Sequence, residues 1–450
     1  MIKRQKSQES GQILIVLAVA LVALLGFTAL AIDVGMVYSD RRYDQNVADS
    51  AALAGANAAL KAMTQAGVVW ETFTCSMANN TWLPGSGGAP GWLQSSQGTI
   101  FSAAINRAAT NNKAIDTNIS DQNGVVLRCG IDNRDKYIDV RVEVSGVTRT
   151  SFAQLLFGGS MRNTVEAVAR VRPITPMAMG YAVYATDLNC DDDGILSNGG
   201  IEVDIDGGGM FSKSCFRGTG NFDVNVTGGG TNNMLAPYNY QKDGGSGTID
   251  PWPTPVLRDT FNYGPPDPEC DKVSNQSVTG DTLVPGIYDG DDLKNGNFEL
   301  KAGLYCINGT IRLNGGDTIK SIPNDAGVTG VTIFFKDGGI QATGGAFMEV
   351  EAANMNGDAP DYVRRGIVIM AAKDNTSDFV LLGNSESNYT GVVYIPAGKI
   401  EIGGTSDVNP PTWTTQFIAH DFWMHGDGTI NIKYDSEKFA KIPPSMELSK

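Results

Sequence analysis

Ile13 to Ile32 is an unbroken run of twenty uncharged, almost wholly apolar residues, ILIVLAVALVALLGFTALAI. As a helix rising 1.5 Å per residue it spans about 30 Å, the thickness of a bilayer's hydrocarbon core. Secretory signal cores are shorter, about 7–15 residues, and end in a small-residue cleavage site. Here helix formers continue without proline from Asp33 to about Gly67, so the pattern predicts a retained membrane helix that runs on into solvent. Lys3, Arg4 and Lys6 precede the run, which predicts a cytoplasmic N-terminus and an exported body. Ala51, Ala52, Ala54, Gly55, Ala56, Ala58 and Ala59 crowd the helix that follows. Small residues let a second helix approach closely, although alanine is also simply the best helix former.

Further along, Trp70 to Gln97 reads as loop, Gly98 to Asn111 as a helix, and Ser151 to Phe157 as a short helix. Val125 to Cys129, Tyr137 to Val147 and Thr164 to Arg172 read as strands, the second with clear alternation. The expected layout is a cytoplasmic tip and transmembrane helix over 1–35, then an α+β stalk domain over 36–175. Pro173 and Pro176 mark its end. Over 176–450 short alternating runs such as IEVDID, FDVNV, VTIFF, IVIMAA and KIEIGG recur between Gly, Asn and Asp. Runs of four to seven residues without tight two-residue hairpins favour a right-handed parallel β-helix, or solenoid, over a sandwich. PGIY at Pro285–Tyr288 returns as AGLY at Ala302–Tyr305 and GVVY at Gly391–Tyr394, an apparent rung repeat. Proline density over 235–270 predicts an irregular surface excursion.

Gly11 and Gln12 stand before the apolar run, Asp33 and Gly35 just after it, and Arg41 and Arg42 lead into Ala48 to Ala56. This fifty-residue pattern resembles the N-terminal segment of TadG-like proteins of Flp (tight adherence) pilus systems. TGVVYIPAGKIEIGG more weakly resembles the β-solenoid tails of pilus-associated proteins. The resemblance implies a membrane-anchored structural component of pilus assembly or surface adhesion, with the bilayer and pilus or envelope proteins as partners; the broad faces of a solenoid add surface polysaccharide as a candidate partner. Many such proteins carry a metal motif Asp-x-Ser-x-Ser, which this chain lacks. A membrane-tethered carbohydrate-active enzyme, and a pilin-like subunit polymerising through its N-terminal helix, are the alternatives.

Net charge is −15 and the isoelectric point about 4.6, unsuited to binding nucleic acid. Glycine contributes 54 of 450 residues, as turn-dense β structure requires. All six cysteines follow the apolar run, so export implies disulfides. Fifteen pairings are open; grouping by domain suggests Cys75–Cys129, Cys190–Cys215 and Cys270–Cys306.

Candidate chemistry is sparse. Asn189, Asp191, Asp193 and Gly194 resemble the start of a calcium loop, with oxygen ligands at alternate positions and glycine at the sixth. The twelfth position is Gly200 where an EF-hand needs Glu, so an acidic turn is the competing reading. His420 and His425 cannot share a metal on either a strand or a helix and read as structural or surface residues. Asp358, Asp361, Arg364, Arg365, Lys373 and Asp374 are the densest charge group, at strand ends where solvated charges belong. No nucleophile elbow, P-loop or zinc-protease motif occurs, so no catalytic role is expected and calcium is the one cofactor in view. Trp413 and Trp423 are candidate ligand contacts, with core packing the favoured reading.

Overall fold

The computed structural model describes residues 10–449 apart from 76–89, 118, 120–121, 133, 151, 153–159, 191–193, 257–263, 356, 358, 361, 383–386, 405–409 and 411. It divides into two compact units, Met1–Ile174 with Pro443–Lys450, and Thr175–Ile442.

In the first unit, α1 (Ser10–Gln65) is one continuous helix and α2 (Gly91–Thr110) packs beside its second half. An antiparallel sheet runs in the order β1 (Gly124–Asp132), β2 (Asp135–Thr148), β3 (Met161–Arg172), then a strand at Ser445–Leu448. The chain's last residues thus complete this sheet, a pairing with no sequence signature because SMEL is too short to show a period. Alternation sorts β2 cleanly. Ile138, Val140, Val142 and Val144 join the helices in one core, while Asp139, Arg141 and Glu143 lie on the opposite face. There Arg141 bonds Glu166 at 2.7 Å, Arg170 bonds Asp139 at 2.8 Å, and Arg172 bonds Asp135 at 2.8 Å. Helix α2 starts earlier than the loop-like reading of Trp70 to Gln97 allowed. Pro90 sits at its N-cap, where a missing N–H costs nothing, and Leu93 is drawn into the core. The short helix expected over Ser151 to Phe157 lies outside the described residues, save Phe152.

The second unit is a three-faced parallel solenoid. On its first face, Tyr305, Ile333, Ile369, Val393, Phe417, Val183 and Met210 stack in register and point inward. One residue along, Cys306, Phe334, Met370, Tyr394, Ile418, Tyr184 and Phe211 form a second column pointing outward, and it too is buried. Met177–Tyr181, Val363 and Phe439–Ala440 lie over it, with Cys270 and Val273 alongside. A parallel sheet covered on both sides reads as continuous apolar sequence, which is why VTIFF and IVIMA show no alternation. The other two faces alternate, with Ile400, Phe422, Ile195 and Phe216 inward on one and Ile430, Val203 and Val224 inward on the other.

Two expectations change here. The recurring PGIY, AGLY and GVVY segments all fall on the first face but out of register. Tyr288 pairs with Ile307, and Tyr305 lines the inner core while Tyr394 lies in the outer one. The stretch 235–256 is not an excursion, since Asn233–Leu235, Tyr240–Lys242, Thr248–Asp250 and Thr254–Val256 are rung strands. Its prolines are tolerated because they sit at corners or, like Pro255, on a strand that among the described residues is paired on one side. The structure adds that chain order is not stacking order. Phe417–Ala419 and Phe422–Gly426 lie beside Val183–Ala185 and Ile195–Gly199, so the last strands close onto the first. The glycines serve the corners: at Gly209, with φ +86°, a Cβ would lie 2.1 Å from the carbonyl oxygen of Thr231 in the next rung.

Candidate functional site

The site with the most direct physical meaning is α1. From Ile13 to Ile32 its large apolar side chains are between 48 % and 71 % exposed, in a stretch of mean hydropathy 3.0 with none of it buried. Among the described residues it is the one helix long and apolar enough to cross a membrane. An apolar run this long and this exposed cannot face water without a large transfer cost, and a bilayer removes that cost.

The run ends at Asp33, which is 2 % exposed and whose carboxylate accepts the backbone N–H of Phe152 at 3.0 Å. Tyr38, Arg41, Arg42 and Tyr43 follow as an exposed belt, with Arg42 over the Tyr38 ring at 5.9 Å and Tyr43 Oη donating to Asn111 O at 2.7 Å. Aromatic and cationic side chains at this level suit a membrane interface. The next residue, Asp44, is fully buried against β2 and pairs with Lys113 at 2.5 Å. Thereafter α1 is core: Val47, Ala48, Ala51, Ala52, Ala56, Ala59 and Met63 are buried. The alanine-rich stretch therefore does serve close packing, and its partners are α2 and the sheet of the same chain. A Cβ on Gly55 would meet Val140 Cγ1 at 2.8 Å and Ala104 Cβ at 3.3 Å. Gly35, by contrast, faces open space, and nothing in its packing explains it.

The other candidates scatter over the solenoid. Asn189 is described, and its backbone N–H bonds Asp187 Oδ1 at 2.9 Å; Asp191 and Asp193 lie outside the described residues. The two histidines do not meet each other. His425 bonds Glu401 at 2.8 Å and stacks near Trp423, with ring centroids 4.3 Å apart. His420 bonds Asp421 at 2.6 Å and lies 3.7 Å from Asp187. Sequence reasoning missed this grouping because Asp187 and His420 are adjacent only through the closing of the last rung on the first. Asp358 and Asp361 lie outside the described residues. Arg364 donates to the carbonyls of Pro266 and Asp267 and Arg365 to those of Gly357 and Ala359, so both guanidinium groups pin loops. Burial raises the Asp267 carboxyl above its usual range, with Asp374 adding to the shift while Lys373 and Arg364 oppose it. Burial, helped by Asp267, pushes the Tyr394 phenol up to about 12. Trp413 is core, donating to Ser387 O at 2.9 Å, whereas Trp423 is half-buried on an outer face.

Residues 11–58 match the family model of putative Flp pilus-assembly TadE/G-like proteins. The matched residues are the apolar half of α1, the Asp33 junction and most of the buried half. No curated protein matches the chain. Among solved structures, an ice binding protein from an Antarctic Biological Consortium is 12 % identical, with a TM-score of 0.27 over 60 % of this chain and 92 % of its own. An ice binding protein from the Antarctic bacterium Flavobacteriaceae is 12 % identical, with a TM-score of 0.17 over 56 % and 79 %. Neither likeness bears on what this chain binds.

Proposed function

We propose that this TadE/G-like chain is a membrane-anchored structural component of Flp pilus assembly. Its N-terminus lies in the cytoplasm and its body outside. Its solenoid presents a binding surface to pilus, envelope or surface-glycan partners and carries out no catalysis. One observation carries the reading: α1 is a single helix, exposed and apolar over 13–32 and built into the core of a folded unit from Val47 onward. A helix so built couples a bilayer to the folded unit without a flexible joint, which suits an element that bears load rather than one that diffuses. Three disulfides, Cys75–Cys129, Cys190–Cys215 and Cys270–Cys306, pair as domain grouping suggests and favour an oxidising compartment.

The test is complementation in the producing cell. Full-length protein should stay in the membrane pellet after alkaline carbonate, and its deletion should abolish Flp-dependent adherence. A version lacking 13–32 should be released and fail to restore adherence. Recovery of a soluble form starting near residue 33, or normal pili in the deletion strain, would sink the proposal.

A further inference from the structure

One corner of the solenoid has the donor set of a metal site. Thr186 and Asp187 follow the first inward strand, Val183–Ala185, and His420 and Asp421 lie within the last long one, Thr415–Gly426. Closure of the stack brings these turns together: Thr186 N–H donates to Ala419 O at 2.8 Å and Asp187 N–H to His420 O at 3.1 Å. Asp187 is 2 % exposed. Its Oδ1 accepts the Asn189 N–H, and its Oδ2 is buried with no hydrogen-bond partner among the described residues. A carboxylate oxygen left without a partner in the interior costs free energy unless a cation meets it.

The imidazole beside it is oriented to share that cation. His420 Nδ1 lies 2.6 Å from Asp421 Oδ2, and His420 Nε2 lies 3.7 Å from Asp187 Oδ1. A proton on Nδ1, shared with Asp421, leaves the Nε2 lone pair facing the Asp187 carboxylate. This is the carboxylate–histidine arrangement by which proteins fix a ligating imidazole. Two ligand atoms on a tetrahedral zinc, with bonds of about 2.0–2.2 Å, stand about 3.3 Å apart, within a few tenths of the gap seen here. One ligand atom from each of Asp187, His420 and Asp421 lies within 4.8 Å of the others. The turn is held by the Cys190–Cys215 disulfide and by Tyr238 Oη donating to Leu188 O at 2.5 Å.

We propose that this corner binds a divalent first-row transition ion of the zinc type. The Asp187 carboxylate and His420 Nε2 are its ligands, Asp421 is the positioning residue that holds the ring, and water completes the shell. One imidazole with carboxylate oxygen selects such an ion over calcium, which takes oxygen ligands alone. The ion would pin the first and last rungs together across the seam where the stack closes.

The experiment uses the full chain in detergent, stripped with EDTA and titrated with Zn²⁺ against a chromophoric chelator, with thermal melts in parallel. One equivalent should bind and raise the melting temperature. His420→Gln and Asp187→Asn should each weaken binding at least 100-fold. Asp421→Asn should weaken it about 10–100-fold, the usual effect of losing an outer carboxylate. His425→Gln, whose ring bonds a single carboxylate, should bind as wild type. Should Asp187→Asn fail to fold, His420→Gln carries the test, because that side chain is partly exposed. Zinc binding that survives both ligand substitutions would overturn the proposal. So would calcium binding without zinc binding, lost on Asp191→Asn or Asp193→Asn, and so would a proton bridging Asp187 and His420 that zinc does not displace.

Discussion

Phe417, near the end of the chain, lies in register beside Val183, the first strand residue of the solenoid, and both are fully buried. The rungs built before residue 257 stack away from this seam on one side, and those from 282 to 404 stack away on the other. The seam is therefore the middle of the stack, although it joins the two sequence ends of the unit. Stacked rungs share stability with their neighbours, so removing a middle rung costs two interfaces where removing an end rung costs one.

Truncation tests this. A fragment of residues 175–442 should melt in one cooperative transition, because the inner and outer apolar columns are complete within it. A fragment of residues 175–411 lacks the seam strand and should lose cooperativity in far-ultraviolet circular dichroism. A single sharp melt for the shorter fragment, within a few degrees of the longer one, would contradict the central placement.

Phe417 also packs edge-on to Trp413 and Phe422, at centroid distances of 5.8 and 6.2 Å. Phe417→Ala should destabilise the unit by about 3–5 kcal/mol, the range for a fully buried aromatic. Trp423→Ala, on an outer face, should cost markedly less. Urea midpoints for the two variants give the comparison, and equal losses would contradict the inward assignment.

In the first unit, Gly146 of β2 leaves room for Asp44 of α1, since a Cβ there would lie 1.8 Å from Asp44 Oδ2. Gly146→Ala should therefore cost about 1–3 kcal/mol through overpacking. It should also displace Asp44 from Lys113. Adding Asp44→Ser to Gly146→Ala should cost less than the sum of the single changes, which a double-mutant cycle on denaturation midpoints would read.

What the sequence made legible follows from how local each signal is. The apolar run ending at Ile32, the strand alternation of Tyr137 to Val147 and the β-helical character of the second unit rest on neighbouring residues and needed no partner to be recognised. The closing of Phe417 onto Val183 did not, because nothing local to either residue encodes a contact so distant along the chain. The Asp187–His420 corner was hidden for the same reason. The PGIY, AGLY and GVVY repeat misled because both columns of the first face are apolar, so a one-residue slip from Tyr305 to Tyr394 leaves the sequence texture unchanged.

Cys270 and Cys306 offer the last test. Cys306 belongs to the outward column of the first face, in register with Phe334, and is 3 % exposed. Cys270 lies in the proline-rich segment alongside that column, and the two are joined with Cα atoms 6.0 Å apart. The bridge thus holds a piece of irregular chain against an apolar surface that would otherwise face water. Arg364 assists by bonding the carbonyls of Pro266 and Asp267. Converting both cysteines to serine should cost about 2–4 kcal/mol, as for a typical native disulfide. The loss should be local before it is global: limited proteolysis should cut first within 264–280, and a dye that binds exposed apolar surface should respond well below the melting temperature. Arg364→Ala in the same background should advance that cleavage further. Unchanged protease resistance in the double serine variant would show that the cover is held by its own packing and that the disulfide is dispensable.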